Sequence, residues 1–189
     1  LLIIPCELNL IKTKMNYYDY KAVIPQCHKI IKRLNKINDV NYKPHILSTL
    51  GKSYMYLKKY KKAEKYFLSN INFASKVQSK EHESNSFQDL GTLYYKMKKF
   101  NKALNFFSKS YKLHVEQNSI QSHFEIIKYL SLIHEKNGDK IKSLSYYKQY
   151  VKQIEQNNKE KDKLFKEDKR KIITGLESEL DEIKKEKET

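Results

Sequence analysis

Three stretches of this sequence superpose without a gap at an offset of 40 residues. Leu50-Gly51 falls over Leu90-Gly91 and Leu130-Ser131, and Tyr54 over Tyr94 and His134. Tyr60 falls over Phe100 and Lys140, Ala63 over Ala103 and Ser143, and Phe67 over Phe107 and Tyr147. A fixed period between roughly 20 and 50 residues marks a stacked-repeat architecture, whose units bury their apolar faces against one another. Such folds offer extended surfaces, so the sequence points to a groove and a partner before a catalytic centre.

Each unit reads as two amphipathic helices, A and B. Leu47, Leu50, Tyr54 and Leu57 recur at spacings of three and four, which gives the first helix A one apolar stripe. Tyr60, Ala63, Phe67 and Ile71 do the same for helix B after a Lys58-Lys59 turn. Gly51 and Gly91 let A and B approach closely, and Ala63 and Ala103 admit the next helix. The second unit repeats the pattern with Phe87, Leu90, Tyr94 and Met97, then Phe100, Ala103 and Phe107. In the third, Asn137-Gly138-Asp139 stops one helix and restarts another: glycine can take the left-handed C′ conformation and Asp139 can cap. Tyr20, Val23, Cys27 and Ile30 place a degenerate unit before these, with Pro25 expected to kink its helix B or delay its start. The expected boundaries are about 1–40, 44–83, 84–123 and 124–157, followed by a capping or stalk helix over 158–189. In that last stretch Ile173, Leu176, Leu180 and Ile183 follow a 3–4–3 pattern, preceded by Ile172.

Composition supports helix and narrows function. Four glycines and three prolines are too few for the turns of an all-β fold. The net charge of +16 raises a nucleic-acid or anionic-membrane partner, but the lysines are spread over most segments and arginine occurs only at Arg33 and Arg170. That distribution argues against direct nucleic-acid binding. Cys6 and Cys27 fit neither a zinc site nor a disulfide framework, and Cys27 stands in a core column. No apolar run reaches membrane-spanning length. The chain opens on Leu1-Leu2-Ile3-Ile4 rather than methionine, which suggests a fragment of a longer protein. Catalysis has no support: the six histidines lack ligand spacing, and neither a phosphate loop nor a nucleophile elbow is present. No cofactor is expected.

These columns resemble the tetratricopeptide repeat, whose pattern is a Leu-Gly pair, a Tyr three residues on, then Tyr/Phe, Ala and Phe in helix B. Leu50, Gly51, Tyr54, Tyr60, Ala63 and Phe67 match throughout, as do Leu90, Gly91, Tyr94, Phe100, Ala103 and Phe107. The third unit departs at Ser131, His134, Lys140 and Ser143. The resemblance implies an all-α, right-handed α-α superhelix with a long C-terminal helix. The period exceeds the usual value of about 34 residues, so the helices are longer or the B-to-A connection is, at Val77–Glu83 in the first case.

More narrowly, the order Tyr146-Tyr147-Lys148-Gln149-Tyr150-Val151, Asp162-Lys163-Leu164-Phe165-Lys166-Glu167, Lys169-Arg170-Lys171, Leu176-Glu177 and Lys184-Lys185-Glu186-Lys187-Glu188 is similar to the sensor regions of Bacteroidota tetratricopeptide regulators and sensor kinases. That would make the chain a periplasmic input domain. A constitutive scaffold, or the cytoplasmic peptide-pheromone receptors of low-GC Gram-positive bacteria, are the alternatives.

The resemblance also assigns the concave wall to helix A positions that point away from helix B. These are His45, Ser48, Lys52, Met55 and Tyr56 in the first full unit. The second supplies Asn85, Gln88, Asp89, Thr92 and Tyr95, and the third Glu125, Lys128, Tyr129, Leu132 and Glu135. Such a mixture suits a protein or peptide in extended form. Family members that bind chaperone tails clamp a terminal carboxylate here with Lys and Asn. Asp89 and Glu125 would repel that group, so a carboxylate clamp is not expected. Self-association through the C-terminal helix is the remaining partner expectation.

Overall fold

The computed structural model describes residues 3–37, 40–117 and 124–159. Helices α1 (Ile3–Asn16), α2 (Tyr20–Lys36), α3 (Lys43–Tyr56), α4 (Tyr60–Lys76), α5 (Lys80–Lys96), α6 (Phe100–Glu116) and α7 (Phe124–Lys136) follow one another. An eighth, α8, is described over 140–159. No strand occurs among the described residues. The architecture is the all-α tetratricopeptide superhelix, with four helix pairs stacked in order. The C-terminal apolar pattern from Ile172 to Ile183 lies outside the described residues.

The period has a simple origin. Helices α4, α5 and α6 are each 17 residues long. Three-residue turns such as Leu57–Lys59, Val77–Ser79 and Met97–Lys99 join neighbours. The extra residues therefore lengthen the helices, and the Val77–Glu83 stretch is a short turn leading into α5 rather than a long connection.

The five turns described in full share one geometry. The central residue takes a left-handed conformation, at Tyr18 (φ 59°), Lys58 (57°), Gln78 (52°), Lys98 (58°) and Gly138 (78°). The N–H of the following residue bonds back five positions, as Lys59 does to the Tyr54 carbonyl at 2.8 Å and Asp139 to that of His134 at 2.9 Å. These are Schellman stops, which satisfy two carbonyls the helix would leave open. Only Gly138 takes the conformation without steric cost. Asp139 then caps α8 by accepting the Lys142 N–H at 3.1 Å, while Lys59 and Lys99 give no side-chain cap. Grafting Gly-Asp onto Lys58-Lys59 or Lys98-Lys99 is therefore expected to stabilise the fold by about 1–2 kcal/mol per turn. Urea denaturation measures this, and an unchanged midpoint would refute it.

Within each pair, helix B meets helix A at the glycine column. A Cβ on Gly51 would lie 2.2 Å from Phe67 Cε1, and one on Gly91 2.7 Å from Phe107 Cδ1. The first pair reverses the sizes, with Ile11 in the glycine column and Cys27 in the phenylalanine column, both buried. Burial pushes the Cys27 thiol up to about 12, so it packs as a small apolar group. Pro25 lies inside α2, yet the helix still starts at Tyr20, where Asp19 accepts the Ala22 N–H at 3.2 Å. The start is not delayed, contrary to one expectation for this proline.

The tyrosine column stacks on the ring twelve residues later, Tyr54 on Tyr66 (5.5 Å), Tyr94 on Phe106 (5.4 Å) and His134 on Tyr146 (5.6 Å). His134 is thus a packed core residue, as the register implies. Buried polar side chains tie α4 and α6 to the start of their own helix A. Asn70 Nδ2 donates to the Pro44 carbonyl at 3.1 Å, and the Ser110 hydroxyl to that of Ser84 at 2.7 Å.

Candidate functional site

The A helices form the inner layer. Helices α3 and α5 touch directly, and no comparable contact joins α4 to α6 among the described residues. Side chains at the expected groove positions carry this inner contact. Lys52 Nζ lies 3.2 Å from Asp89 Oδ1, and the Ser48 hydroxyl donates to Asp89 Oδ2 at 2.5 Å. Gln88 Nε2 reaches Glu125 Oε2 at 3.5 Å, and Tyr95 meets Tyr129 edge to face at 5.0 Å. Tyr129 also stacks on Phe107 at 4.9 Å. The wall thus runs continuously from the second pair to the fourth.

A cavity of about 280 Å³ opens between α3 and α5. Six of the expected residues line it: His45, Ser48, Lys52, Asn85, Gln88 and Asp89. Tyr56 lies further along α3, stacked on Tyr20 at 4.7 Å with Lys96 Nζ 5.2 Å from its ring centre. Thr92 is half-buried, its hydroxyl donating to the Gln88 carbonyl at 3.0 Å. Lys128 is exposed and leans over Tyr150, its Nζ 5.9 Å from the ring centre. Leu132 is half-buried and Glu135 exposed, and neither lines the cavity.

Met55 is a correction. It is 3% exposed and belongs to the core. Its position beside Tyr54 turns it into the junction between pairs, where an unbranched thioether fills space between helices.

Three residues of the cavity escaped the sequence pattern, Pro44, Asn70 and His82. Asn70 stands in a column otherwise occupied by Ile30, Ser110 and Tyr150, so an amide in a buried stripe was the available signal. Its Oδ1 has no partner among the described residues. His82 lies in the first turn of α5, its ring edge to face with His45 at 5.3 Å. Burial, and then the neighbouring His45, hold its pKa below the ordinary histidine value.

Asp89 is the electrostatic centre. Burial pushes its carboxyl above the usual carboxylate range, against the pull of Lys52 and Ser48. Asp89 in turn raises Lys52, which stays charged. Because the folded-state pKa of Asp89 exceeds the unfolded one, its ionisation weakens the fold as pH rises through that range. Lys52 limits the loss. Lys52→Met is expected to cost about 1–3 kcal/mol at neutral pH, and less in acid, where Asp89 carries a proton. Adding Asp89→Asn should restore stability at neutral pH. A Lys52→Met penalty that does not change with pH, followed by thermal unfolding, would refute this coupling.

Residues 43–114 match the family model of the tetratricopeptide repeat. No curated protein matches the sequence. Among solved structures, the chain is similar to BtubC from P. vanneervenii, with 14% identity, a TM-score of 0.68, and 79% of this chain and 62% of that one covered. It is also similar to a Signal Transduction ATPase with Numerous Domains from Pyrococcus horikoshii that carries a tetratricopeptide repeat sensor. There the identity is 18% and the TM-score 0.69, covering 77% of this chain and 23% of that one. MamA gives 16% identity and a TM-score of 0.60, with 83% and 81% covered. The chain thus spans less than two thirds of the first of these structures. At such identities the likeness establishes the fold.

Proposed function

We propose that this chain is a protein-binding module whose inner groove holds an extended segment of a partner, and that it serves as the input region of a bacterial signalling or transcription-regulating protein. One observation carries the binding reading. The cavity between α3 and α5 gathers an unpartnered buried acceptor at Asn70, a desolvated carboxylate at Asp89, and amides at Asn85 and Gln88. An extended chain offers alternating N–H and C=O groups that such a wall can take, and the orphaned Asn70 Oδ1 favours an incoming N–H. The aromatic stretch of Tyr56, Tyr95 and Tyr129 would hold apolar side chains further along. The input role rests on the C-terminal resemblance and on the Pyrococcus horikoshii neighbour that carries a tetratricopeptide repeat sensor.

Selection from a library of random extended peptides tests the binding reading. Peptides enriched on the native chain should lose at least tenfold in affinity on Asn85→Arg with Gln88→Arg, which would fill the cavity. They should bind Lys112→Gln, on the outer layer, unchanged. Enrichment indifferent to the two groove substitutions would sink the proposal. No described helix is long and apolar enough to cross a membrane.

A further inference from the structure

The lysines that look evenly scattered along the sequence are divided by the fold. Among the described residues, the B helices α2, α4, α6 and α8 carry seventeen lysines and arginines against three acids, Glu64, Glu116 and Glu155. The A helices α1, α3, α5 and α7 carry eight against six. Nearly all of the outer charges are exposed; Arg33, paired with Glu7, is half-buried. The forty-residue register places them in shared columns. Lys21 and Lys61 occupy one, and Lys32, Lys112 and Lys152 another. Of the outer bases, only Arg33 and Lys142 make an ion pair among the described residues.

We propose that this outer face docks on an anionic lipid membrane. The charge complementarity is diffuse: it spreads over four helices, and the shallow depression on α6 beside Lys109 and Lys112 gathers only a small part of it, as suits a plane of headgroups. The B helices hold one arginine, Arg33, so the planar fork that grips phosphates and reads guanine is nearly absent. No phenylalanine or tyrosine ring of α2, α4 or α6 is exposed and α8 exposes only Tyr147, so the face carries no row of rings on which successive bases of a single strand could stack. Leu68, 44% exposed between Lys65 and Asn72, adds an aliphatic group that headgroups can accept. The face is separate from the groove, so a partner segment and a membrane could be held together.

Sedimentation of the 189-residue chain with vesicles tests this. At physiological salt it should bind phosphatidylcholine vesicles that contain roughly 30% phosphatidylserine and leave pure phosphatidylcholine vesicles unbound. Lys32→Gln, Lys65→Gln and Lys112→Gln together should weaken partitioning by about 100-fold, from about fivefold per lysine. The matched set Lys12→Gln, Lys80→Gln and Lys136→Gln removes the same charge from A helices and should change it by less than about fivefold. Circular dichroism confirms that both triple variants keep their helices. Equal loss in the two sets would show that net charge acts without a face, and would overturn the proposal. So would failure to bind the anionic vesicles, or tighter binding to duplex DNA or RNA at the same salt.

Discussion

Replacing Gly51 with isoleucine should destabilise the chain by about 3 kcal/mol, and adding Phe67→Cys should recover much of that loss. A Cβ at Gly51 would sit 2.2 Å from the ring of a fully buried phenylalanine, with further ring atoms at 2.5 and 2.8 Å. The ring is held on all sides, so the strain cannot be shed by a side-chain swing. Overpacking of this kind costs about 1–3 kcal/mol or more, and the better helix propensity of isoleucine offsets only a few tenths. Phe67→Cys alone leaves a cavity and should cost about 3 kcal/mol. The double substitution reproduces a pairing the molecule already contains at Ile11 and Cys27, both buried. Its cost should therefore fall at least about 4 kcal/mol below the sum of the two single costs, which urea denaturation in a double-mutant cycle would show. Additive costs would mean that the two columns do not share one volume.

The second large effect separates residues that the register treats as equivalent. Phe67, Phe107 and Tyr147 stand in one column. Phe107 is fully buried, stacked on Tyr129, while Tyr147 is 56% exposed. Phe107→Ala should cost about 3–5 kcal/mol and Tyr147→Ala less than about 1 kcal/mol. Similar losses at both positions would show that the last column is as tightly packed as the middle ones. The residue facing each ring explains the contrast. Gly91 admits Phe107 into the crossing, whereas Ser131 instead donates its hydroxyl to the Ser143 carbonyl at 2.9 Å.

Much of the inner wall follows from the register alone. Helix A positions that point away from helix B reach the neighbouring A helix, so His45, Ser48, Lys52, Asn85, Gln88 and Asp89 meet around one cavity. Met55 misled because one step of a helix is 100°, and a residue next to a buried tyrosine can face the junction as readily as the groove. Asn70 and His82 were not legible as site residues. Asn70 belongs to helix B and enters the cavity only through its bond to Pro44, and His82 lies in a first turn whose start the pattern placed elsewhere.

The turns show the same division. Gly138-Asp139 announces its stop by residue type, since glycine favours positive φ and aspartate caps. Lys58-Lys59 and Lys98-Lys99 carry no such signal and yet fold the same way, because the flanking helices impose the geometry. What the sequence by itself determined was the forty-residue period, the helix pairs and the columns of glycine against phenylalanine, all set by local periodicity and side-chain volume. Tertiary structure alone decided which polar residues converge and where the charge lies. Both depend on how the pairs stack: the A helices are drawn together and desolvate Asp89, while the B helices turn outward and leave their lysines in water.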